Sequence, residues 1–454
     1  MHARRITPDS RPTDRRRLFA AALSAILPGL GQAFNRRARS AAVFALPTLV
    51  LLGLAWLLLQ LFSPTMLLAH AIVPSTLQVL LILNVVVLAW RLLAVFEAFV
   101  DRRYPGRPGR LGGVGLVVVL LVVAIPHAIA FNVGSSAFGA FDRVFGSGAI
   151  GGSDDDPGST SGPRPASGER INVLLMGIDA GPNRTQALTD SLIVVSLDPV
   201  GRTVSMLSIP RDLVEVPLGN GDVFAPKINA LLGYANRHPD EFPEGGTRAL
   251  QDAVGALLGL PIHYHAKVDL GGFVRMVDAV GGVEIDVKKP LSDPRYGGFG
   301  VGPGWSIEPG IHHLDGANAL AYARIRRSTG ETDFTRAARQ QEVLVALRDR
   351  AVSGGNLLFG LPGLLDAVGN AARTDLPQAL LPELAALAEE IDGERTIRAV
   401  LTSPMVKSGG ANHPYGSVVI PVPSRIAEMV AVVFPEPGVT PGPWPPAEDA
   451  AAAP

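Results

Sequence analysis

"INVLLMGID" (171–179) decides the fold of this chain. A run of branched aliphatic residues ending in an aspartate reads as a buried strand whose far end meets something polar. Two similar runs follow at once, "SLIVVSLD" (191–198) and "TVSMLSIP" (203–210), and the intervening "DPVGR" is turn chemistry, so the pair is a hairpin. Beyond them helical patterns set in: "KINALLGYAN", "TRALQDAVGALLG", "LGGFVRMVDAVGG" and "DFTRAARQQEVLVALRDR". Strands interleaved with helices predict an α/β domain of α-β-α layers around a mixed central sheet.

Polar residues collect where these strands stop. Asp179 ends the first, Asp190 precedes the second, and Arg211 and Asp212 close the third in "PRD". Ligand sites of layered α/β folds are built at strand ends, although charges also mark such ends simply because the chain surfaces there. Further on, "ALAYARIRR" (319–327) crowds Arg324, Arg326 and Arg327 onto an apolar support, and Arg324 and Arg326 share a face if the chain is extended. The next helix opens at Asp333, read as its N-cap, with Arg336 and Gln340 four apart on one face. Arginine forks beside a helix N-terminus suit phosphate, the alternative being surface ion pairs with Asp and Glu.

The first third of the 454 residues is different. Residues 1–110 carry 14 Arg, no Lys and only Asp9, Asp14, Glu97 and Asp101, a net of +10 in a chain whose total is −1. Three stretches are apolar and long enough to cross a bilayer: 41–62, 74–90 with its extension "RLLAVFEAFV", and 112–132. Basic residues fall at 1–17, 35–39 and 102–110, whereas 63–73 has no Asp, Glu, Lys or Arg. The positive-inside rule therefore puts a basic N-terminus (1–17) in the cytoplasm, three transmembrane helices within 41–132, and everything after about 133 outside. "LFAAALSAILPGLGQAF" (18–34) is short, broken by Pro28, Gly29 and Gly31, and flanked by arginines, as expected of a re-entrant or interfacial segment. Residues 148–170 read as a flexible linker, including the acidic run Asp154–Asp156, and 435–454 as a disordered Pro/Ala-rich tail. Between them lies one globular domain, 171–434.

Several chemistries are excluded or disfavoured. The chain has no cysteine, hence no disulfide, thiolate metal site or cysteine nucleophile. "GGVGL" (112–116) lacks the Lys-Ser/Thr ending of a phosphate loop, and there is no nucleophile elbow. His263 and His265 share a strand face without a third ligand for zinc, and His312–His313 read as capping or surface residues before a helix.

The blocks "SIPRD", "KIN", "VDAVGGV" and "LAYARIR…DFTRAARQQ", in that order and spacing, resemble the LytR-CpsA-Psr family of cell-wall ligases over nearly all of residues 170–350. The resemblance implies a membrane-anchored extracellular phosphotransferase that moves a glycopolymer from a polyprenyl-pyrophosphate carrier to peptidoglycan. It implies that Arg211, Arg324, Arg326, Arg336 and Gln340 grip the pyrophosphate with Lys227 nearby, and that Asp179 and Asp190 hold magnesium, or manganese in its place. Two carboxylates suffice for a magnesium ion that also takes phosphate oxygens, and phosphoryl transfer needs positioning and charge neutralisation more than covalent help. Asp212 and Asp333 are both open as base for the acceptor hydroxyl. The expected partners are the lipid-linked donor, peptidoglycan and the bilayer, with no nucleic acid.

Three departures and alternatives accompany this reading. Many family members carry an arginine two positions before the second metal-binding aspartate, where this chain has Leu188; Arg184 is the substitute within reach in sequence. The multi-pass anchor replaces the family's usual single span. The lipid tail needs an apolar slot, for which 270–283 and 356–371 are the candidates. A non-catalytic pyrophosphate-lipid binder, a lipid-pyrophosphate hydrolase and, more remotely, a helical transporter are the competing functions.

Overall fold

The structure, a computed structural model, describes residues 14–71, 73–100, 107–145, 163–179, 188–353, 369, 372–391, 395–410 and 412–444. Asp154–Asp156, Arg184 and nearly all of the apolar stretch 356–371 lie outside the described residues, as do most of 1–17, the greater part of 148–170 and the end of 435–454. The chain divides into two compact units, Met1–Phe138 and Gly139–Pro454.

The first unit is helical: α1 (Asp14–Ile26), α2 (Leu30–Phe34), α3 (Ala38–Leu61), α4 (Pro64–Ala71), α5 (Pro74–Val100) and α6 (Arg110–Phe145), the last running on into the second unit. By length and composition α3, α5 and α6 are able to cross a membrane. Segment 18–34 is a bent pair of helices. The chain reverses at Gly29, whose φ of 103° favours glycine and where a Cβ would meet the Ala41 carbonyl oxygen at 2.6 Å. Side chains hold this bend: Ser24 Oγ accepts from Gly31 N (3.1 Å), while Gln32 Nε2 donates to Ala94 O (2.8 Å) and Asn35 Nδ2 to Ala98 O (2.9 Å), both on α5.

The second unit contains β1 (Ile171–Asp179), β2 (Leu188–Asp198), β3 (Thr203–Ile209), β4 (Val216–Pro217), β5 (Val223–Phe224), α7 (Leu231–Arg237), α8 (Gly245–Leu258), β6 (Tyr264–Asp269), α9 (Leu270–Ala279), β7 (Val283–Val287), β8 (Leu291–Asp293), β9 (Trp305–Ile307), β10 (Gly310–Leu314), α10 (Gly316–Arg324), α11 (Asp333–Ser353), β11 (Ala372–Thr374), α12 (Leu381–Glu390), β12 (Thr396–Val400), β13 (Val406–Ser408), β14 (Val419–Pro421) and α13 (Pro423–Val433). Six strands form one sheet in the order β11-β6-β1-β2-β3-β12. It is mixed: β1 runs parallel to β6 and β3 to β12, while β1-β2, β2-β3 and β6-β11 are antiparallel. The β2-β3 hairpin turns at Asp198, whose carboxylate accepts from the amides of Val200 and Gly201, both at 2.9 Å.

Alternation along the strands builds the layers. Leu174, Met176, Leu192, Val194 and Leu207 point to one face and pack with Leu231, Leu250, Val254 and Met429 of α7, α8 and α13. Leu175, Ile193, Val195 and Met206 point to the other, against α11 and α12 through Leu344 and Leu387. A third cluster joins α9, α10, β7, β10 and α11 around Val277, Tyr322 and Val343.

Three local expectations change. "KIN" opens a 3-10 turn, Ile228–Ala230, before α7. His312 and His313 lie within β10, at the surface as one of the two readings had them, and the cap of the following helix is instead Asp315, which accepts from Asn318 N at 2.9 Å. Residues 435–444 are bound to the core: Arg170 Nε donates to Pro435 O (2.7 Å), Gly438 N to Asp198 (2.8 Å) and Trp444 Nε1 to Met405 Sδ (2.9 Å). Their backbone groups and Trp444 are thereby satisfied, which a solvated tail would not require.

Leu250 is fully buried at the centre of the α8 face. Leu250→Ala is expected to cost about 2–5 kcal/mol of stability, read as a lower denaturant midpoint with an unchanged slope.

Candidate functional site

One cavity of about 640 Å³ opens between the sheet and α9, α10 and α11. Part of its lining is apolar, with Leu175 and Ile193 from the sheet, Phe273 and Met276 from α9, and Leu344 and Leu347 from α11. Its remaining lining is strongly charged and includes Asp179, Asp190, Arg211, Arg324, Arg326, Arg336 and Gln340. Of the residues expected at the site, only Asp212, Lys227 and Asp333 stand outside this lining. They form the layer around it: Lys227 Nζ donates to Asp212 Oδ1 (2.6 Å), Arg211 Nε lies 3.8 Å from Asp212 Oδ2, and Asp333 Oδ1 accepts from Arg336 at 2.9 Å.

A β-bulge aims the second aspartate. Gly177 pairs with Ser191 and Ile178 with Thr189, so Asp190 has no partner across the ladder. Strand alternation would send Asp190 and Ser191 to opposite faces, but the extra residue lets both line the cavity. Asp179 reaches the same place from the last position of β1, the strand paired with β2. The two carboxylates converge: Arg324 Nη2 donates to Asp179 Oδ2 at 3.1 Å and lies 3.7 Å from Asp190 Oδ2.

The arginines arrive from three directions. Arg211 follows β3 and donates from Nη1 to Asp190 Oδ1 at 2.8 Å, leaving its buried Nε without a hydrogen bond. Arg324 is the last residue of α10; Ile325 is extended and buried, and Arg326 follows, so "ALAYARIRR" is helix and then extended chain. Arg336 comes from α11. It donates to Asp333 Oδ1 at 2.9 Å, while Arg326 reaches the same oxygen at 3.4 Å. Burial pushes the Arg336 guanidinium down to about 10, with Asp333 opposing and the Arg211 and Arg326 charges adding to the fall. Burial would lower Arg211 too, but Asp190, Asp212 and Asp333 hold it above the ordinary value. Burial raises the Asp333 carboxyl, and Arg336, the Asp212 hydrogen bond, Arg211 and Arg326 outweigh it, leaving it below the usual carboxylate range.

The N-cap of α11 is Thr332, not Asp333. Thr332 Oγ1 accepts from Thr335 N at 3.2 Å and Thr335 Oγ1 from Thr332 N at 2.9 Å, a reciprocal box that leaves the Asp333 carboxylate for the arginines. Of the two apolar segments offered for a slot, 270–283 contributes Leu270, Phe273 and Met276 to the cavity. Leu188 lines it as well. The two strand histidines are engaged elsewhere: His263 Nδ1 accepts from Asn172 N at 3.0 Å, and His265 Nδ1 lies 3.2 Å from Asp375.

With this geometry in place, comparison with known proteins is direct. Residues 153–410, more than half of the chain, match the LytR_cpsA_psr family. The chain belongs to that family. Among its relatives, TagV of Bacillus subtilis (strain 168), named a polyisoprenyl-teichoic acid–peptidoglycan teichoic acid transferase, is 35% identical over 188 residues, 41% of this chain and 45% of TagV. TagU of Halalkalibacterium halodurans, named likewise, is 31% identical over 207 residues, 45% of this chain and 61% of that protein. The matched part therefore spans less than two thirds of either relative. The crystal structure of B. subtilis TagV aligns at 27% identity with a TM-score of 0.47, covering 59% of this chain and 98% of that one.

The LytR_cpsA_psr unit also uses residues to which sequence reasoning gave no role. Arg295 and Tyr296 line the cavity, beside Arg327 of the arginine run already singled out. Arg339 does not, yet it holds the site together. From α11 its guanidinium donates to the carbonyls of Tyr322 and Ile325 (2.6 Å to the latter) and to Glu331 Oε2 (2.8 Å), tying the end of α10 and the arginine-bearing loop to one helix. The only signal was its place in "TRAARQQ", one residue from Gln340. Gln341 anchors the same helix to the sheet by donating to Ser208 Oγ (2.9 Å) and Ala399 O (2.8 Å).

Burial raises the Glu331 carboxyl, but Lys289, Thr335 and Arg339 hold it below its ordinary value. A depressed carboxylate stabilises the fold above its unfolded pKa, and the gain is lost as pH falls through the lower folded pKa. The stability gap between wild type and E331Q is therefore expected to be open at neutral pH and to close below about pH 4 in denaturant unfolding curves.

Proposed function

We propose that this chain is a membrane-anchored phosphotransferase that transfers a glycopolymer from a polyprenyl-pyrophosphate carrier to peptidoglycan, with its second unit on the outer side of the membrane. The observation that carries the reading is the pairing of a guanidinium cluster with a set of apolar side chains in the lining of one cavity. A ligand that fits both parts has a multiply charged oxyanion on a long apolar tail, and pyrophosphate on an isoprenoid is such a molecule. The names of TagV and TagU, transferases from a polyisoprenyl carrier to peptidoglycan, support the same donor and acceptor.

In this reading Arg211, Arg324, Arg326 and Arg336 exchange their carboxylate partners for the pyrophosphate oxygens, with Gln340 donating beside them. An acceptor hydroxyl of peptidoglycan attacks the phosphorus next to the glycan. The bond from that phosphorus to the bridging oxygen breaks, and polyprenyl monophosphate leaves. The hydroxyl proton passes to Asp212 or Asp333, the two carboxylates that Lys227, Arg326 and Arg336 hold beside the cavity. Asp179 and Asp190 fit a magnesium site, because both reach toward one Arg324 nitrogen and two carboxylates leave room for phosphate oxygens. Magnesium, or manganese in its place, would neutralise charge on those oxygens.

The test supplies the purified chain with a polyprenyl-pyrophosphate saccharide, a divalent cation and a peptidoglycan acceptor. Release of polyprenyl monophosphate together with labelled glycan is the expected result. Binding without release favours a non-catalytic lipid binder, and release that ignores the acceptor favours a hydrolase. R324A and R211A are each expected to lower kcat/KM by about 10–100-fold, the weight of a lost charge-assisted contact, while D190A chiefly removes the metal dependence. Because the chain has no cysteine, Ser408→Cys gives a single thiol, expected to react with a membrane-impermeant maleimide added outside intact cells.

A further inference from the structure

The apolar unit holds a positive charge with no counter-charge beside it. Arg91 lies on α5 nine residues before Val100, roughly 13 Å along the helix from that end at the usual rise. Its Nη2 donates to the carbonyl of Ala25 at the end of α1 (2.7 Å), and Nη1 lies 3.4 Å from His127 Nε2 on α6. His127 Nδ1 is 2.7 Å from Asn84 Oδ1, and Asn84 Nδ2 donates to His127 O at 3.0 Å. Facing a guanidinium, Nε2 is the acceptor, so the ring carries its proton on Nδ1 toward Asn84.

Every one of these partners is neutral. Among the described residues no carboxylate pairs with Arg91, since Glu97 of the same helix is bound to Arg37. Arg91 Nε is moreover buried without a hydrogen bond. A guanidinium does not give up its proton, and a charge on a helix of this apolar composition requires an anion or polar contacts for its donors.

The surroundings limit what that anion is. The outward faces of α3, α5 and α6 are apolar, with Leu46, Trp56, Ile82, Val86 and Val122 exposed, as befits contact with lipid tails. Beside Arg91 the bent pair α1–α2 ends its first helix, and an element that turns back inside the bilayer admits polar groups where an unbroken helix would not. An anion arriving there on an apolar tail, with two oxygens for the guanidinium fork, is a lipid phosphate.

We propose that Arg91 is a binding site for the phosphate group of a membrane lipid, seated beside the α1–α2 bend. A glycerophospholipid and a polyprenyl monophosphate share this chemistry. The experiment separates them: the full chain carrying R324A, which disables the pyrophosphate cavity, is purified in alkyl-maltoside micelles, and native mass spectrometry follows binding of added phosphatidylglycerol in one arm and polyprenyl monophosphate in the other. One or both lipids are expected to bind, and R91Q to weaken that binding by about tenfold or more, as loss of a charge-assisted contact would. His127→Asp keeps Arg91 but supplies an internal carboxylate, and should displace the lipid to a similar degree even if R91Q does not fold. Failure of both lipids to bind overturns the proposal, as does undiminished binding by H127D or by a folded R91Q.

Discussion

Guanidinium groups crowded into one cavity repel each other, and of the six that line this one, four are held by carboxylates threaded between them. Asp179 and Asp190 stand against Arg324 and Arg211, and Asp333 stands between Arg326 and Arg336. The cost of the arrangement is visible at Arg336, where burial and two like charges hold the pKa near 10. At neutral pH the residue is still cationic, so the cleft keeps its full positive complement behind a removable set of counter-ions. In the proposed reaction the oxyanion would need no rebuilding of the site, only an exchange of partners already in place.

The scaffold behind that exchange is made of polar contacts that never touch the opening. Arg339 spans two carbonyls at the end of α10 and the buried Glu331, and Gln341 fastens the same helix to β3 and β12. Adjacent residues of α11 thus divide the work by helical angle: Arg336 and Gln340 face the cavity, while Arg339 and Gln341 face the elements that carry it.

That division explains which parts could be read from the amino-acid order. The strands, the β2-β3 hairpin and the helix faces were legible, because period-2 and period-3.6 patterns are set by burial alone. The cationic set was legible as well, since Arg211, Arg324, Arg326 and Arg336 sit in compact motifs. The aim of Asp190 was not, because it depends on a bulge defined by the partner strand, which no pattern within "LTDSLIVV" encodes. Nor was Arg339, whose partners are mostly backbone carbonyls, available to any residue type. Asp333 was assigned the cap that belongs to Thr332, since either side chain can fill it and only the loop's path decides. Arg295 was missed for a related reason: it reaches the cavity from a loop, where spacing carries no facing information.

The placement of Asp179 and Asp190 on hydrogen-bonded neighbouring strands has an evolutionary corollary. Their spacing is fixed by the ladder, so the segment connecting β1 to β2 can lengthen, shorten or change composition at little entropic expense without moving either carboxylate. Sequence change along that connection is therefore free of the constraint that holds the two aspartates in register.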